Sequence, residues 1–321
     1  MQVPKKPLVL LAAPQITTPV TTQSIMRDVL IALVPALICS VAYFGLPALS
    51  VVLTAVASCM GFEWLWCNLR KIPHTVYDLS AAVTGMLLAF NLPSTIPLYM
   101  VVIGSFVAIV LAKELFGGIG RNFANPAIVG RIFLAVAFPV AMTTFVAPQL
   151  ALSSVDVLSS ATPLASGAYA HTPVELLMGT HMGVLGETSA IAILIGCAYL
   201  LVRRVITWHV PVAYTGTVAL LSLLAGKDPV AQALSGGLLL GAVFMATDYT
   251  TTPATKRGKL VFAVGCGLIT CLIRFWGNLN EGVAYSILFM NLLVPYIDAL
   301  TPNTPVGGEG RRRARREKAH E

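Results

Sequence analysis

Hydrophobic residues in this chain come in long runs rather than in alternation. Apolar stretches fall near 28–46, 48–67, 79–92, 98–115, 126–147, 189–202, 206–225, 229–247, 259–276 and 281–300, which makes ten. A helix needs about 20 apolar residues to cross a bilayer, and shorter pieces suffice where a helix is broken inside a bundle. The third and sixth runs are short, and Pro93, Pro97 and Pro126 stand where helices end or break. Such interrupted segments predict half-helices that meet inside the protein.

Composition agrees with the pattern. Of the 321 residues 56% are hydrophobic and 11% charged, with a mean hydropathy of +0.80, far from the roughly 25% charged content of a soluble domain. The runs suit helices that close their own backbone hydrogen bonds better than a barrel of period-two strands. An all-α integral membrane protein is therefore expected. Lys5 and Lys6 precede a short apolar run broken by Pro14, which reads as a cytoplasmic arm rather than a cleaved leader.

The positive charges orient the spans. With the N-terminus inside, 18 of the 21 Lys and Arg residues fall on the cytoplasmic side, as short cytoplasmic loops require. Both ends are then cytoplasmic, and the only substantial outer loop is 148–188. The expected division is an N-terminal arm (1–27), a first membrane repeat (28–147), the outer loop (148–188), a second membrane repeat (189–303) and a basic tail (304–321), whose RRRARREK lies near anionic lipid headgroups.

The two halves look related. Asp78 opens DLSAAVTGMLLAF and Asp228 opens DPVAQALSGGLLLGAVF, while NPAIVGRIFLAVAFP has the same length as EGVAYSILFMNLLVP. Five spans per half would place the repeats in opposite orientations, related by an axis in the membrane plane, with broken helices lining a midplane site.

Several groups could carry chemistry. GGIGRNFANPA sets three glycines before Arg121, Asn122 and Asn125; it reads either as a tight cytoplasmic turn or as a site offering N–H groups, amides and a guanidinium to an anion or a flat heteroaromatic ring. With no preceding strand it is not a dinucleotide fingerprint. Arg131 and Glu281 are ionisable at or near membrane depth, where each is costly unless paired or wet; Glu281 reads equally as an interfacial residue in an outer turn. Asp248, in FMATDYTTTPATKRGK, is either a solvated helix end or a polar group facing a cofactor or ion. The six cysteines form no CxxC pair and the histidines are scattered, so no metal site is assigned.

In the outer loop stands DVLSSATPL, Asp156 to Leu164. A Ser/Thr-rich loop of this kind is common; a hydroxyl flanked by small residues on an outer loop is also what a transferase needs to build a phosphodiester. With GRNFANPA, the MATDYTTTPATKRGKLVFAVGCGLI block and the apparent repeat, the chain over about residues 20–305 resembles the family of the D subunit of the Rnf complex, the ion-pumping ferredoxin:NAD oxidoreductase. Its sister is the B subunit of the sodium-translocating NADH:quinone reductase. The resemblance implies about ten transmembrane helices in two inverted repeats, similar to urea transporters. It also implies FMN joined by its phosphate to a threonine in a motif of the form D-x-x-S/T-G-A-T, put there by a flavin transferase from FAD. Here Asp156, Ser159, Ala161 and Thr162 match, Ser160 stands where the family usually has glycine, and the resemblance makes Thr162 the expected attachment residue.

The resemblance further implies a place in a redox chain. Electrons from ferredoxin would pass through iron-sulfur centres of other subunits (A, B, C, E and G) to a flavin on the G subunit, then to the Thr162 flavin, and return toward NAD. Ion movement of Na+ or H+ would be coupled through Arg131, Asp248, Glu281 or the broken helices. A second, noncovalent flavin such as riboflavin near the cytoplasmic side belongs to the same expectation, as does the bacterial cytoplasmic membrane. The competing reading is a urea-transporter-like channel or carrier for a small polar solute, since a shared fold does not fix function.

Overall fold

The computed structural model describes residues 20–146, 173–179, 183–187, 189–277 and 282–302. Asp156, Ser159, Ser160, Ala161, Thr162 and Glu281 lie outside the described residues, and so do most of the N-terminal arm and the basic tail.

The described chain is helical. Five helices are long and apolar enough to cross a membrane by length and composition: α1 (Thr22–Phe44), α2 (Leu46–Arg70), the continuous segment Leu98–Phe116 that begins as α4 (Leu98–Phe106), α12 (Lys256–Trp276) and α13 (Val283–Leu300). Four shorter apolar helices accompany them: α3 (Ser80–Phe90), α5 (Pro126–Ala137), α8 (Ala190–Val202) and α9 (His209–Leu224). The small elements α6 (Pro139–Thr143), α7 (Pro173–Met178), α10 (Pro229–Leu234) and α11 (Leu238–Leu240) complete the order. This is a multi-pass membrane protein. Large apolar side chains such as Ile38, Leu53, Leu220, Leu272 and Phe289 point outward, as lipid-facing residues do.

Local sequence sets the helix ends. Thr21 and Ser24 form a capping box at α1, and Thr255 accepts from Gly258 N at 2.9 Å to start α12. Asn125 and Asp228 cap α5 and α10, each followed by a proline at the first helical position, where a missing N–H costs nothing.

Of the prolines named above, Pro93 follows the end of α3, Pro97 caps α4 and Pro126 opens α5; a further break lies at a proline not singled out there. The run 126–147 breaks at Phe138, and Pro139 starts α6. The sixth apolar run forms α8, a short helix of 13 residues laid along α1. The second interruption lies in 229–247, where Ser235, Gly236 and Gly237 part α10 from α11 and Gly237 takes a φ of +65°. No proline signals that break; a glycine pair makes it by admitting a left-handed turn.

Close packing runs through small residues. Gly85 brings α3 against the backbone of α2, Gly130 sets α5 against the Gly104 carbonyl of α4, and Gly196 sets α8 against the Ala32 carbonyl of α1. In a bilayer, where lipid competes for apolar contact, such near approach is a main source of helix association. Polar ties add to it: Asp28 of α1 accepts from Arg203 (3.1 and 3.2 Å) and from Tyr199 Oη (3.2 Å), clamping α1 to α8.

At the α9–α12–α13 junction the fully buried Tyr214 hydroxyl lies 2.7 Å from Thr270 Oγ1 and 2.8 Å from Ser286 Oγ. Tyr214→Phe removes one member of this buried triad and is expected to cost about 1–2 kcal/mol, read as a lower thermal midpoint of the detergent-solubilised protein.

Candidate functional site: a cavity between the halves and three charge clusters

A cavity of about 90 Å³ opens among α1, α3, the turn before α5, α8 and the segment after α11. Its apolar walls include Val83, Leu87, Leu200 and Phe244; its polar lining comes from Ser80, Lys113, Asn122, Asn125, Asp248 and Thr250. The two blocks singled out in the sequence, GRNFANPA and MATDYTTTP, thus meet across one space although they are more than a hundred residues apart.

The glycine-rich turn is shaped by its backbone. Gly117, Gly118 and Gly120 all have positive φ (+108°, +84° and +89°), a region L side chains seldom adopt. The turn places Asn122 and Asn125 inside, both buried, while Arg121 stays exposed and curls back over Gly117. Asn125 does double duty: its Oδ1 caps α5 through Ala127 N (3.0 Å), and its Nδ2 donates to the Met245 carbonyl (3.3 Å). Met245 ends a π-helical turn, Gly241–Met245, of the kind that often sits at functional sites.

Asp248 is a half-buried lining residue of the cavity, not a solvated helix end. Its carboxylate accepts from Thr250 N (3.4 Å) and Thr251 Oγ1 (3.2 Å). Lys256 and Arg257, expected beside it, are exposed in the first turn of α12.

Arg131 projects from α5 and donates to Asn91 Oδ1 (2.8 Å) at the C-terminal end of α3, where the helix dipole favours a cation. Arg274 repeats the arrangement in the second half. It donates to the carbonyls of Gln232 (2.7 Å), Ser235 (2.9 Å) and Gly236 (3.3 Å), at the C-terminal end of α10. Glu187 is buried within electrostatic reach of both arginines, and its Oε2 accepts from Val184 N (3.2 Å). Its segment is held between the halves: Leu185 N donates to Leu92 O (3.1 Å), and Gly186 lies against Phe90 and Leu240.

A third cluster was not among the sequence candidates. Lys113 Nζ lies 2.9 Å from Glu63 Oε1, 3.8 Å from Glu114 Oε1 and 2.7 Å from Ser80 Oγ. The signal was present, since Glu63 interrupts GFEWLW and Lys113-Glu114 interrupts VLAKELF; charges inside apolar runs are functional candidates by default. Among the described residues, no group of three or more His, Cys, Asp and Glu side chains is arranged to hold a metal ion.

A helical bundle with several apolar spans, a polar-lined cavity and arginines at the ends of two short helices defines a polytopic α-helical membrane protein. The sequence profile of the NQR2, RnfD, RnfE family matches residues 9–307, and the chain belongs to that family. It is 44% identical to the D subunit of the Na(+)-translocating ferredoxin:NAD(+) oxidoreductase complex of Acetobacterium woodii, over 90% of this chain and 92% of that protein. It is 40% identical to the proton-translocating counterpart of Clostridium ljungdahlii, over 95% and 98%. The D subunit of the ion-translocating oxidoreductase complex of Alcanivorax borkumensis is 37% identical over 92% and 95%.

Proposed function

We propose that this chain is the membrane subunit of an ion-translocating ferredoxin:NAD oxidoreductase complex, that it carries FMN on Thr162, and that it helps couple electron transfer to movement of Na+ or H+. The observation that carries the reading is near-full-length similarity to subunits of that name, together with DVLSSATPL between the two sets of helices. Its partners are then the other subunits of the complex, ferredoxin and NAD through them, the flavin transferase and the lipid bilayer of the bacterial cytoplasmic membrane, with both chain ends cytoplasmic. The Acetobacterium and Clostridium relatives differ in their named ion, so membership alone does not choose between Na+ and H+.

Parallel packing supports an inverted repeat of five plus five spans, the urea-transporter-like arrangement. In the first half α2 packs on α3 and α4; in the second α9 packs on α10 and α12. Asp78 and Asp228 both accept from the N–H two residues ahead (2.7 and 2.9 Å) where the short helices begin, and each short helix ends on an arginine supplied by another helix.

The lining of the cavity is where we would seat the polar edge of a noncovalent flavin such as riboflavin, with the pocket widening to admit the ring. Its apolar walls suit a flat ring, and Asn122, Asn125, Ser80 and Thr250 offer amide and hydroxyl groups to the ring's polar edge. A flavin would supply the redox chemistry there. The chain's own residues would bind and orient it: Asn125 is fixed by its cap on α5 and its bond to Met245, and Asp248 lines the same space. Glu187 and Arg131 would hold the field at the opposite side of the broken helices, with Glu281 a further coupling candidate.

The test is direct. Expressed with a flavin transferase, the wild-type chain should show covalent flavin fluorescence in a denaturing gel and an FMN mass adduct on the peptide containing Thr162; Thr162→Ala should lose both. A wild-type chain without the adduct, or solute uptake by vesicles of the lone subunit, would replace this reading with the channel or carrier.

A further inference from the structure

Two neighbouring helices bring positive charge to one end of the bundle. α9 and α12 start at that end and run side by side: Lys259 Nζ lies 3.4 Å from Thr207 Oγ1 in the turn before α9, and farther along Gly267 of α12 lies against Thr217 of α9. Lys256 and Arg257 in the first turn of α12 and Arg204 in the turn after α8 are exposed, and Lys259 is half-buried. Among the described residues these four cations form no ion pair, while Arg203 beside them is taken by Asp28. The nearby acids are engaged elsewhere. Asp298 accepts from Ala254 N (3.1 Å), and Asp248 from Thr250 N and Thr251 Oγ1. Thr301 lies 2.9 Å from Thr255, the cap of α12, so the residues that follow, with RRRARREK among them, leave from the same end and hold more cations than acids.

Beyond the charges the surface is apolar. At 21 residues α12 is about 30 Å long, the thickness of a bilayer's hydrocarbon core, which sets Lys256 and Arg257 at headgroup level. Arg257, Val261, Val264, Leu268 and Leu272 recur at steps of three and four residues and so share one face of the helix. All five are exposed. Neighbouring helices take the other faces, with Gly265 against Met290 of α13 and Gly267 against Thr217 of α9. Trp208, 57% exposed just before α9, adds an aromatic ring with an N–H donor at the same end, as residues at a membrane interface do.

We propose that Lys256, Arg257, Lys259 and Trp208 form a site for the headgroup of an anionic phospholipid, whose acyl chains lie along the Val261–Leu272 face of α12. The Arg257 guanidinium suits a phosphate through paired N–H bonds, and the two ammonium groups add point charge. The start of α12 favours the same sign of ligand. An acidic protein surface or a free phosphate would meet the cations but not use the apolar stripe that continues from them; a zwitterionic lipid would cover the stripe and leave the cations unbalanced. Charge and stripe together specify an anionic lipid. The site stands apart from the flavin reading and does not depend on it.

Native mass spectrometry of the full chain purified in detergent tests the site, with dioleoyl phosphatidylglycerol and dioleoyl phosphatidylcholine as probes. The wild type should hold phosphatidylglycerol in preference and gain a higher thermal midpoint from it. Lys256→Gln with Arg257→Gln should bind it about twenty-five-fold more weakly, roughly fivefold for each charge lost near an anionic surface. Both side chains are exposed, so the midpoint without added lipid should stay that of the wild type, and Lys256→Arg with Arg257→Lys, which keeps both charges, should keep the preference. Equal binding of the two lipids, or undiminished phosphatidylglycerol binding by the glutamine variant, overturns the proposal. The same rise in midpoint from inorganic phosphate makes this an anion site without a lipid. Loss of the preference on removing residues 304–321, with none in the glutamine variant, moves the lipid to the basic tail and overturns it as well. A glutamine variant that binds phosphatidylglycerol as the wild type does but no longer copurifies with other subunits makes the face a protein contact instead.

Discussion

Replacing Arg274 by methionine is expected to be the most destabilising single change among these residues, on the order of 3 kcal/mol. The guanidinium satisfies three carbonyls where α10 stops, those of Gln232, Ser235 and Gly236. Methionine fills much of the same volume and donates nothing, so these acceptors would be left without partners in a setting that water reaches poorly. Loss of the charge also leaves Glu187 with one fewer cation in reach. Arg274→Lys should fall between, because a single ammonium lacks the planar fork that spans several acceptors. Thermal unfolding in detergent, followed by tryptophan fluorescence, gives the order wild type, lysine, methionine; equal midpoints for all three would show that the carbonyls find other donors.

A second large effect is expected at Gly85. A Cβ there would stand 2.8 Å from both the Ala55 carbonyl oxygen and Val56 Cα of α2, backbone atoms that cannot swing aside. Gly85→Val must therefore push α3 away from α2, at about 3 kcal/mol for overpacking of this kind. The displacement would matter for function as well as stability, because α3 carries Ser80 at one end and its C-cap Asn91 receives Arg131 at the other. Lower yield of folded protein, a reduced thermal midpoint and weaker flavin retention in the complex are the expected readouts. By contrast, Gly61 and Gly216 have open space where a Cβ would go, and alanine at either should leave all three readouts unchanged.

Much of this protein was legible in its sequence. Hydropathic runs located the helices because a segment that must close its own hydrogen bonds in lipid announces itself locally. Asn125-Pro126 and Asp228-Pro229 marked helix starts that the structure reproduces. Asn122 and Asn125 stood out in a glycine-rich turn and Arg131 and Asp248 as charges in or beside apolar runs; Asn122, Asn125 and Asp248 line the cavity, and Arg131 lies at the end of α3. Arg121, chosen with them, is exposed, its side chain lying back over Gly117 in the turn of left-handed glycines that precedes it.

What the runs could not convey is which polar groups meet. Glu63 and Lys113 are fifty positions apart, Asn91 and Arg131 forty, Gln232 and Arg274 forty-two. Their pairing depends on the rotation and depth of one helix against another, and those are set by contacts such as Gly85 on Ala55 or Gly130 on Gly104. The break at Ser235 to Gly237 was hidden for the same reason: without a proline, a glycine pair in an apolar run becomes an interruption only when a neighbouring arginine is placed to donate to the freed carbonyls. That the chain lives in a membrane, roughly where it crosses, and which family motif it carries are all written in contiguous residues and could be read without coordinates. The partners of its buried charges come from the packing of distant helices, because a charge in a low-dielectric bundle is stable only opposite a donor or acceptor that another helix supplies.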